Sequence, residues 1–368
     1  MSLGSSSVVV VPLVHELVKE NITEIPNRYI RTTSCLDHEY HHSDGASKYD
    51  IPVIDVDGGL LSGESVLADS ELHKLHSVCQ HWGFFQVVNH GISSILIDQL
   101  KSEIHNLFQL PLEEKTKIWR EAGEMEGFGQ KFVVSDEQKL DWSDTFSITA
   151  QPIKMRKPQI FAGMPLLLRE ALEAYSLGLK NLTMILLGKM AEALKMDSDE
   201  IEELFNDCTQ RMRMNYYPPC PKAKQVIGLS PHSDAAALSI VLQLNQTEGL
   251  EIRKDGKWVP VKPIPGALIV NLGDMIEILS NGAYPSIEHR VMVNPTKERL
   301  SIATFHSTNP GSEFGPAPCL IDPPHKPALF RRETEKKYYE NFFAKTLNGK
   351  TTNLDFMRIN TENGNRSS

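Results

Sequence analysis

Cysteine is scarce in this chain and carries no pattern. The five residues (Cys35, Cys79, Cys208, Cys220 and Cys319) are scattered, with no CxxC pair. An odd and dispersed set argues against a disulfide framework and predicts reduced thiols in a cytoplasmic protein. Positive charge is also short. The 38 Lys and Arg stand against 47 Asp and Glu, a formal net charge of −9, so neither nucleic acid nor an anionic membrane has electrostatic support as a partner. No apolar run approaches the roughly 18 residues of a membrane span. The N-terminal "SSSVVVVPLVHELV" is apolar at its centre but short, interrupted by Pro12 and without a basic leader. It reads as the approach to a helix, not a secretory signal. Internal repeats and long low-complexity segments are missing, and the small, polar ends "MSLGSSS" and "NTENGNRSS" are expected to fray. What remains is globular: 40% hydrophobic and 23% charged residues over 368 positions, enough for one large domain or two average ones.

Apolar spacing predicts helices over 13–21, 70–79 and 94–108. Another opens at "LPLEEKTKI" with Pro111 in its first turn, and a long helical region runs from about Pro165 to Phe205. "IPVIDV" at 51–56 and "GFFQVVNHG" at 83–91 read as strands. After Cys208 the texture changes to short β-rich segments: "MRMNYY", "GLSPHSD", "LSIVLQL", "LEIRKDGKWVPV", "ALIVNLG", "SIEHRVMV" and "RLSIATF". Strands at this spacing predict an antiparallel double sheet. The expected fold class is α+β, a jelly-roll (double-stranded β-helix) core with a helix-rich N-terminal half packed on it as one unit. Its expected divisions are an N-terminal extension with a helix over 1–50, a helix-rich region over 51–205, the β-barrel over 206–310, and a C-terminal helical segment and tail over 311–368.

The triplet His-Ser-Asp occurs twice, at His42–Asp44 and at His232–Asp234. The first copy sits in "SCLDHEYHHSDGASKYD", polar throughout and followed by Gly45. It belongs to a loop in which nothing fixes the two side chains relative to each other, so no metal site is expected there. The second precedes the strand-like "AAALSIVLQL". Alternate strand residues share a face, so His232 and Asp234 point the same way. Two such groups are equally well explained as a hydrogen-bonded polar pair, and a metal needs a third ligand. His289, in "YPSIEHRVMVNP", is the candidate; alone on an apolar face it would ordinarily be a satisfied core histidine. Together the three form the two-histidine, one-carboxylate facial set that leaves open positions on non-haem Fe(II).

The next strand offers a second constellation. Arg299 and Ser301 are an i, i+2 pair on an otherwise apolar strand. A buried guanidinium needs an anion: either a bound carboxylate, matched by its planar fork and the Ser301 hydroxyl, or an internal partner such as Glu288 or Asp274. Upstream, Asn215 and Tyr217 in "RMRMNYYPPC" are a third polar pair on one face. Three such strands are hard to explain as core and suit a barrel enclosing a metal and a dicarboxylate. Asn271 and Asp274 are expected to cap a turn and a helix start, not to touch the metal.

These residues, with "IPVID", "WGFFQVVNHG", "LPLEEK", "GFGQ", "LDWSD" and "NYYPPC", closely resemble the plant 2-oxoglutarate- and Fe(II)-dependent dioxygenases over roughly residues 10 to 350. The chain is most similar to the senescence-related branch, which includes poppy alkaloid O-demethylases and a strigolactone-pathway lateral branching oxidoreductase. The resemblance implies Fe(II) on His232, Asp234 and His289. It implies 2-oxoglutarate with its distal carboxylate on Arg299 and Ser301, seated with help from Tyr217 and Asn215, and ascorbate as reductant. Decarboxylation to succinate and CO2 would be coupled through O2 to C–H hydroxylation. At an O-methyl group, the product would fall apart to formaldehyde and a free hydroxyl.

The implied substrate pocket is Phe132, Thr145, Ser147, Arg213, Phe305 and Ser307. Phe128 with Phe132 forms either an aromatic wall or plain packing. Ala235-Ala236-Ala237 departs from the bulkier or glycine-containing stretch expected in the alkaloid enzymes and would alter pocket volume. The amphipathic segment 331–347 is either a lid on the barrel mouth or a solvated surface helix. The expected activity is hydroxylation or O-demethylation of a plant specialised metabolite (alkaloid or phenolic), by a cytoplasmic monomer whose partners are a small molecule and O2. Oxidation of a strigolactone- or gibberellin-type hormone by the same mechanism is the alternative. A non-enzymatic binder would have lost a triad residue or the arginine, and none is lost here.

Overall fold

In the computed structural model the described residues are 11–20, 22, 24–31, 50–121, 123–130, 133, 137–344 and 350–359. The first His-Ser-Asp triplet, Phe132, Cys35 and the two polar chain ends lie outside them. The helices are α1 (Val14–Lys19), α2 (Ser65–His81), α3 (Ser94–Gln109), α4 (Leu112–Lys117), α5 (Pro158–Gly163), α6 (Leu166–Leu194), α7 (Ser198–Phe205), α8 (Asp274–Leu279), α9 (Glu335–Phe343) and α10 (Thr351–Met357). The strands that build the core are β1 (Val53–Asp55), β2 (Phe84–Val88), β3 (Gly127–Phe128), β4 (Asp144–Gln151), β5 (Thr209–Tyr217), β6 (Leu229–His232), β7 (Leu238–Gln243), β8 (Leu250–Lys254), β9 (Lys257–Pro260), β10 (Leu268–Leu272), β11 (His289–Val291) and β12 (Arg299–Ser307).

Two sheets result. The major one runs β1-β2-β10-β7-β12-β5-β4-β3 and the minor one β6-β11-β8-β9. All pairings are antiparallel except β1 with β2. This is the expected jelly roll, with one addition. Strands from the N-terminal half extend the major sheet at both edges, and β4 pairs with β5 along nearly its whole length. The sequence reading missed β4 because "DTFSITAQ" is buried on both faces, which removes the alternation that marks a half-exposed strand.

β5 and β12 alternate strictly. Met212, Met214 and Tyr216, with Leu300 and Ile302, belong to the main apolar core. That core includes Leu168, Leu172, Tyr175, Leu179, Leu182 and Leu186 of α6 at helical spacing. Each buried leucine contributes roughly 1.5–3 kcal/mol of transfer free energy, so the register of both strands is firmly set. A one-residue slip would turn this face inward. The other face, Arg211, Arg213, Asn215 and Tyr217 opposite Phe305, Ala303, Ser301 and Arg299, therefore points into the barrel. A second cluster (Phe84, Tyr217, Leu250, Ile252, Val259, Ile287, Val291) fills one end of the space between the sheets.

The predicted helical run 165–205 is two helices. Lys195 takes a left-handed conformation (φ 57°), and the Asp197 carboxylate then accepts the Asp199 N–H to start α7. The start of α1 is held from a distance: Asp144 accepts the Val14 and His15 N–H groups at 2.7 and 2.9 Å. No helix among the described residues is long and apolar enough to cross a membrane.

Candidate active site

His232 ends β6 and His289 begins β11, and the two are direct partners in the antiparallel ladder. Their rings lie 4.3 Å apart between centroids. Asp234 lies beyond the end of β6, in the bend before β7, and not on a strand as its i, i+2 spacing suggests. The chain turns there because the Asp274 N–H at the start of α8 donates to the Asp234 carbonyl at 2.8 Å. Gly273 makes this approach possible. A Cβ there would stand 2.0 Å from the Ala236 carbonyl oxygen, closer than any real contact. Ala235, Ala236 and Ala237 are all buried, and Ala235 and Ala237 belong to the main apolar core.

Asp234 carboxylate oxygens stand 3.4 Å from His232 Nε2 and 3.8 Å from His289 Nε2. One ligand atom from each of the three residues falls within 4.8 Å of the others, and all three side chains are buried. Each imidazole turns Nδ1 to a backbone carbonyl, His232 to Ser230 at 2.8 Å and His289 to Ile287 at 3.3 Å. With Nδ1–H so donated, Nε2 keeps its lone pair for a metal. The buried His232 Nε2 has no hydrogen-bond partner. Burial, then the neighbouring His232, push the His289 imidazole down to about 4, so it is neutral at neutral pH. Burial pushes the Asp234 carboxyl up, but the neighbouring His289 and His232 outweigh it and hold it below the usual carboxylate range. Two imidazoles, each with Nδ1 on a backbone carbonyl, and a carboxylate converging on one point are the donor set that suits Fe(II) with positions left open.

Asn271 is not a cap. It lies in β10 and donates Nδ2 to Asp234 Oδ2 at 2.8 Å, which fixes the carboxylate. Asp274 does open α8 and accepts the Ser286 hydroxyl at 2.7 Å.

Arg299 begins β12, and its guanidinium is buried over the Tyr217 ring. It donates to Gln243 Oε1 at 2.9 Å and to Ser301 Oγ at 3.4 Å, and its Nε is unpartnered. Asn215 Nδ2 reaches the same Ser301 hydroxyl at 3.4 Å. The internal partners weighed for Arg299 are engaged elsewhere, Glu288 with Arg253 at 3.0 Å and Asp274 with Ser286. Among the described residues no carboxylate pairs with Arg299. Burial accordingly lowers its pKa. Gln243 was missed from the sequence; it lies across from Ser301, and only that register reveals it.

Of the remaining pocket residues, Arg213 faces Ser147 on β4 and Ala303 on β12, with its guanidinium 5.2 Å from the Phe305 ring centre. The Thr145 hydroxyl donates to the Gly129 carbonyl at 2.9 Å. Phe128 packs in the core against Phe146 and Phe108, so it is packing and not a wall. Helix α9, capped by the Thr334 hydroxyl, is no solvated surface helix. Tyr338 is fully buried and donates to the Ala235 carbonyl at 2.9 Å, and the Tyr339 hydroxyl bonds Ser307. One face of α9 thus packs against the loop that follows Asp234, while Lys336, Lys337 and Glu340 are exposed.

Comparison with known proteins agrees with this geometry. Residues 208–308 match the 2OG-Fe(II) oxygenase superfamily, and residues 51–164 match the non-haem dioxygenase in morphine synthesis N-terminal family. The chain is 52% identical to Protein SRG1 of Arabidopsis thaliana, over 96% of this chain and 98% of that protein. It is 46% identical to codeine O-demethylase of Papaver somniferum, over 95% and 96%. The crystal structure of JOX2 in complex with 2OG, Fe and JA superposes with a TM-score of 0.84 at 32% identity, covering 95% of this chain and 98% of that one. The chain belongs to the 2OG-Fe(II) oxygenase superfamily and is a plant dioxygenase that uses Fe(II) and 2-oxoglutarate.

Proposed function

We propose that His232, Asp234 and His289 hold Fe(II), that Arg299, Ser301, Tyr217 and Asn215 seat 2-oxoglutarate, and that the enzyme oxidises a C–H bond of a ring-containing plant metabolite, O-demethylation being the favoured outcome. The observation that carries this is the pairing, inside one barrel, of a metal-donor set with a buried guanidinium that no carboxylate among the described residues pairs with. An uncompensated buried cation is costly, and a dicarboxylate removes that cost. Fe(II) held by His232, Asp234 and His289 would, with 2-oxoglutarate and O2, supply the oxidant for the C–H bond, with succinate and CO2 as co-products. Asn271 keeps the Asp234 carboxylate aimed, Gln243 orients the Arg299 fork, and the α9 tyrosines keep water from the metal loop. Thr145, Ser147, Arg213, Phe305 and Ser307 form the substrate side. O-demethylation is supported by the 46% identity to codeine O-demethylase.

A second reading, oxidation of an acidic hormone-type molecule, is favoured by Arg213. No described acid pairs with it, and its Nε is buried without a partner. The solved relative JOX2 carries JA together with 2OG and Fe. Cytoplasmic location and a monomeric state complete the proposal. Incubation of the Fe(II)-loaded protein with 2-oxoglutarate, ascorbate and two substrate panels, methoxylated aromatics and carboxylic acids, separates the readings. Succinate with stoichiometric formaldehyde identifies demethylation, whereas succinate with a hydroxylated acid identifies the second reading. Succinate from neither panel above the uncoupled background overturns both.

A further inference from the structure

We propose that Asp141 positions the His232 imidazole for the metal, acting through Ser230, and that Arg31 holds Asp141 to that task. The inference rests on reading His232 as a metal ligand.

β6 is the outer strand of the minor sheet, bonded to β11 on one side only. Such an edge exposes unpaired backbone groups, and here it carries a ligand at its last residue. Pro231, just before His232, has no N–H, so the strand must be pinned at Ser230. The Asp141 carboxylate does this with both oxygens. Oδ2 accepts the Ser230 backbone N–H at 3.2 Å, and Oδ1 accepts the Ser230 hydroxyl at 2.7 Å. A side chain thus stands where a neighbouring strand would be. The carbonyl of the same Ser230 accepts His232 Nδ1–H at 2.8 Å, which sets the tautomer and the direction of Nε2.

Asp141 is itself braced. Arg31 Nη2 donates to Asp141 Oδ1 at 2.7 Å, to Ser230 Oγ at 3.1 Å and to the Leu140 carbonyl at 3.1 Å. The backbone N–H of Trp142 donates to the Ile227 carbonyl at 2.7 Å, and its indole N–H donates to Pro218. These bonds clamp the "LDWSD" segment beside β6. Residue Asp144 of the same motif is engaged elsewhere, at the start of α1, so one short segment contains a positioning acid and an acid that only anchors a helix.

The test is Co(II) affinity and the visible spectrum of the Co(II)-loaded full-length protein, with thermal midpoints measured in parallel. Asp141→Asn keeps the shape but cannot pair with Arg31 while accepting both Ser230 bonds. It is expected to weaken Co(II) binding by roughly 10- to 100-fold and to shift the spectrum. Arg31→Gln and Ser230→Ala are expected to lose affinity by smaller factors, and they decide the matter should Asp141→Asn not fold. Asp144→Asn is expected to change the midpoint and leave Co(II) affinity and spectrum unchanged. Wild-type Co(II) affinity and spectrum in Asp141→Asn, or equal loss in Asp144→Asn, overturn the positioning role alone. Failure of the wild type to bind Co(II) overturns the reading of His232 as a ligand, and this inference with it.

Discussion

Arg299 lies directly across the β5–β12 ladder from Tyr217, with its guanidinium 5.3 Å from the centre of that ring, and no carboxylate among the described residues pairs with it. A cation so placed destabilises the ligand-free protein, and on the proposed reading the carboxylate of 2-oxoglutarate removes that cost. Arg299→Met is therefore expected to raise the stability of the ligand-free protein by about 1 kcal/mol or more. It should also raise the KM for 2-oxoglutarate by at least about 100-fold. Thermal scans with and without 2-oxoglutarate check both: the variant starts higher and no longer shifts on addition.

Asn271 is expected to act on the metal and not on the fold. Its amide holds one Asp234 oxygen, so Asn271→Ala should lower Fe(II) affinity by roughly 10-fold or more. Asn271→Asp should do worse, because it sets two carboxylates side by side. Iron content after dialysis against a weak chelator measures both.

Gly273→Ala tests the close approach that turns the chain at Asp234. The added methyl meets the Ala236 carbonyl at 2.0 Å, so the backbone carrying Asp234 must shift. A stability loss of about 1–3 kcal/mol, together with weaker Fe(II) binding, is expected from denaturant titration and metal binding on the same sample.

Much of this site was legible because metal and carboxylate chemistry tolerate few residue types. The His232, Asp234 and His289 set and the Arg299–Ser301 pair could be proposed from residue type and spacing, although strand alternation misplaces Asp234, which lies beyond the end of β6. Gln243 and Asn271 could not. Each is a polar residue in a largely apolar strand, and its meaning comes from cross-strand register with Ser301 for Gln243 and from the turn at Gly273 for Asn271. β4 escaped because burial on both faces erases its period. The long helix was drawn unbroken because Lys195, a good helix former, takes a left-handed conformation that only the tertiary context imposes. The amphipathic pattern of α9 does not say what its apolar face covers; the Tyr338 hydroxyl on the Ala235 carbonyl does.

Asp144 gives a pH dependence with a definite sign. Burial raises its carboxyl to about 6, against the lowering by the His15 and Val14 N–H groups. The folded state therefore holds this proton more tightly than the unfolded chain, and the stabilisation is lost as pH rises through 6. Between pH 7 and pH 5 the wild type should gain about 1 kcal/mol relative to Asp144→Asn. Paired urea titrations at the two pH values measure the difference, and titrations common to both proteins cancel.

Anaerobic addition of Fe(II) and then 2-oxoglutarate to wild type, His232→Ala and His42→Ala is the most direct test of a metal and keto-acid centre built on the second His-Ser-Asp triplet. Wild type and His42→Ala should each bind one Fe(II) per chain and develop a metal-to-ligand charge-transfer absorption when 2-oxoglutarate is added, and His232→Ala should do neither. The same absorption and the same iron stoichiometry in His232→Ala would contradict it.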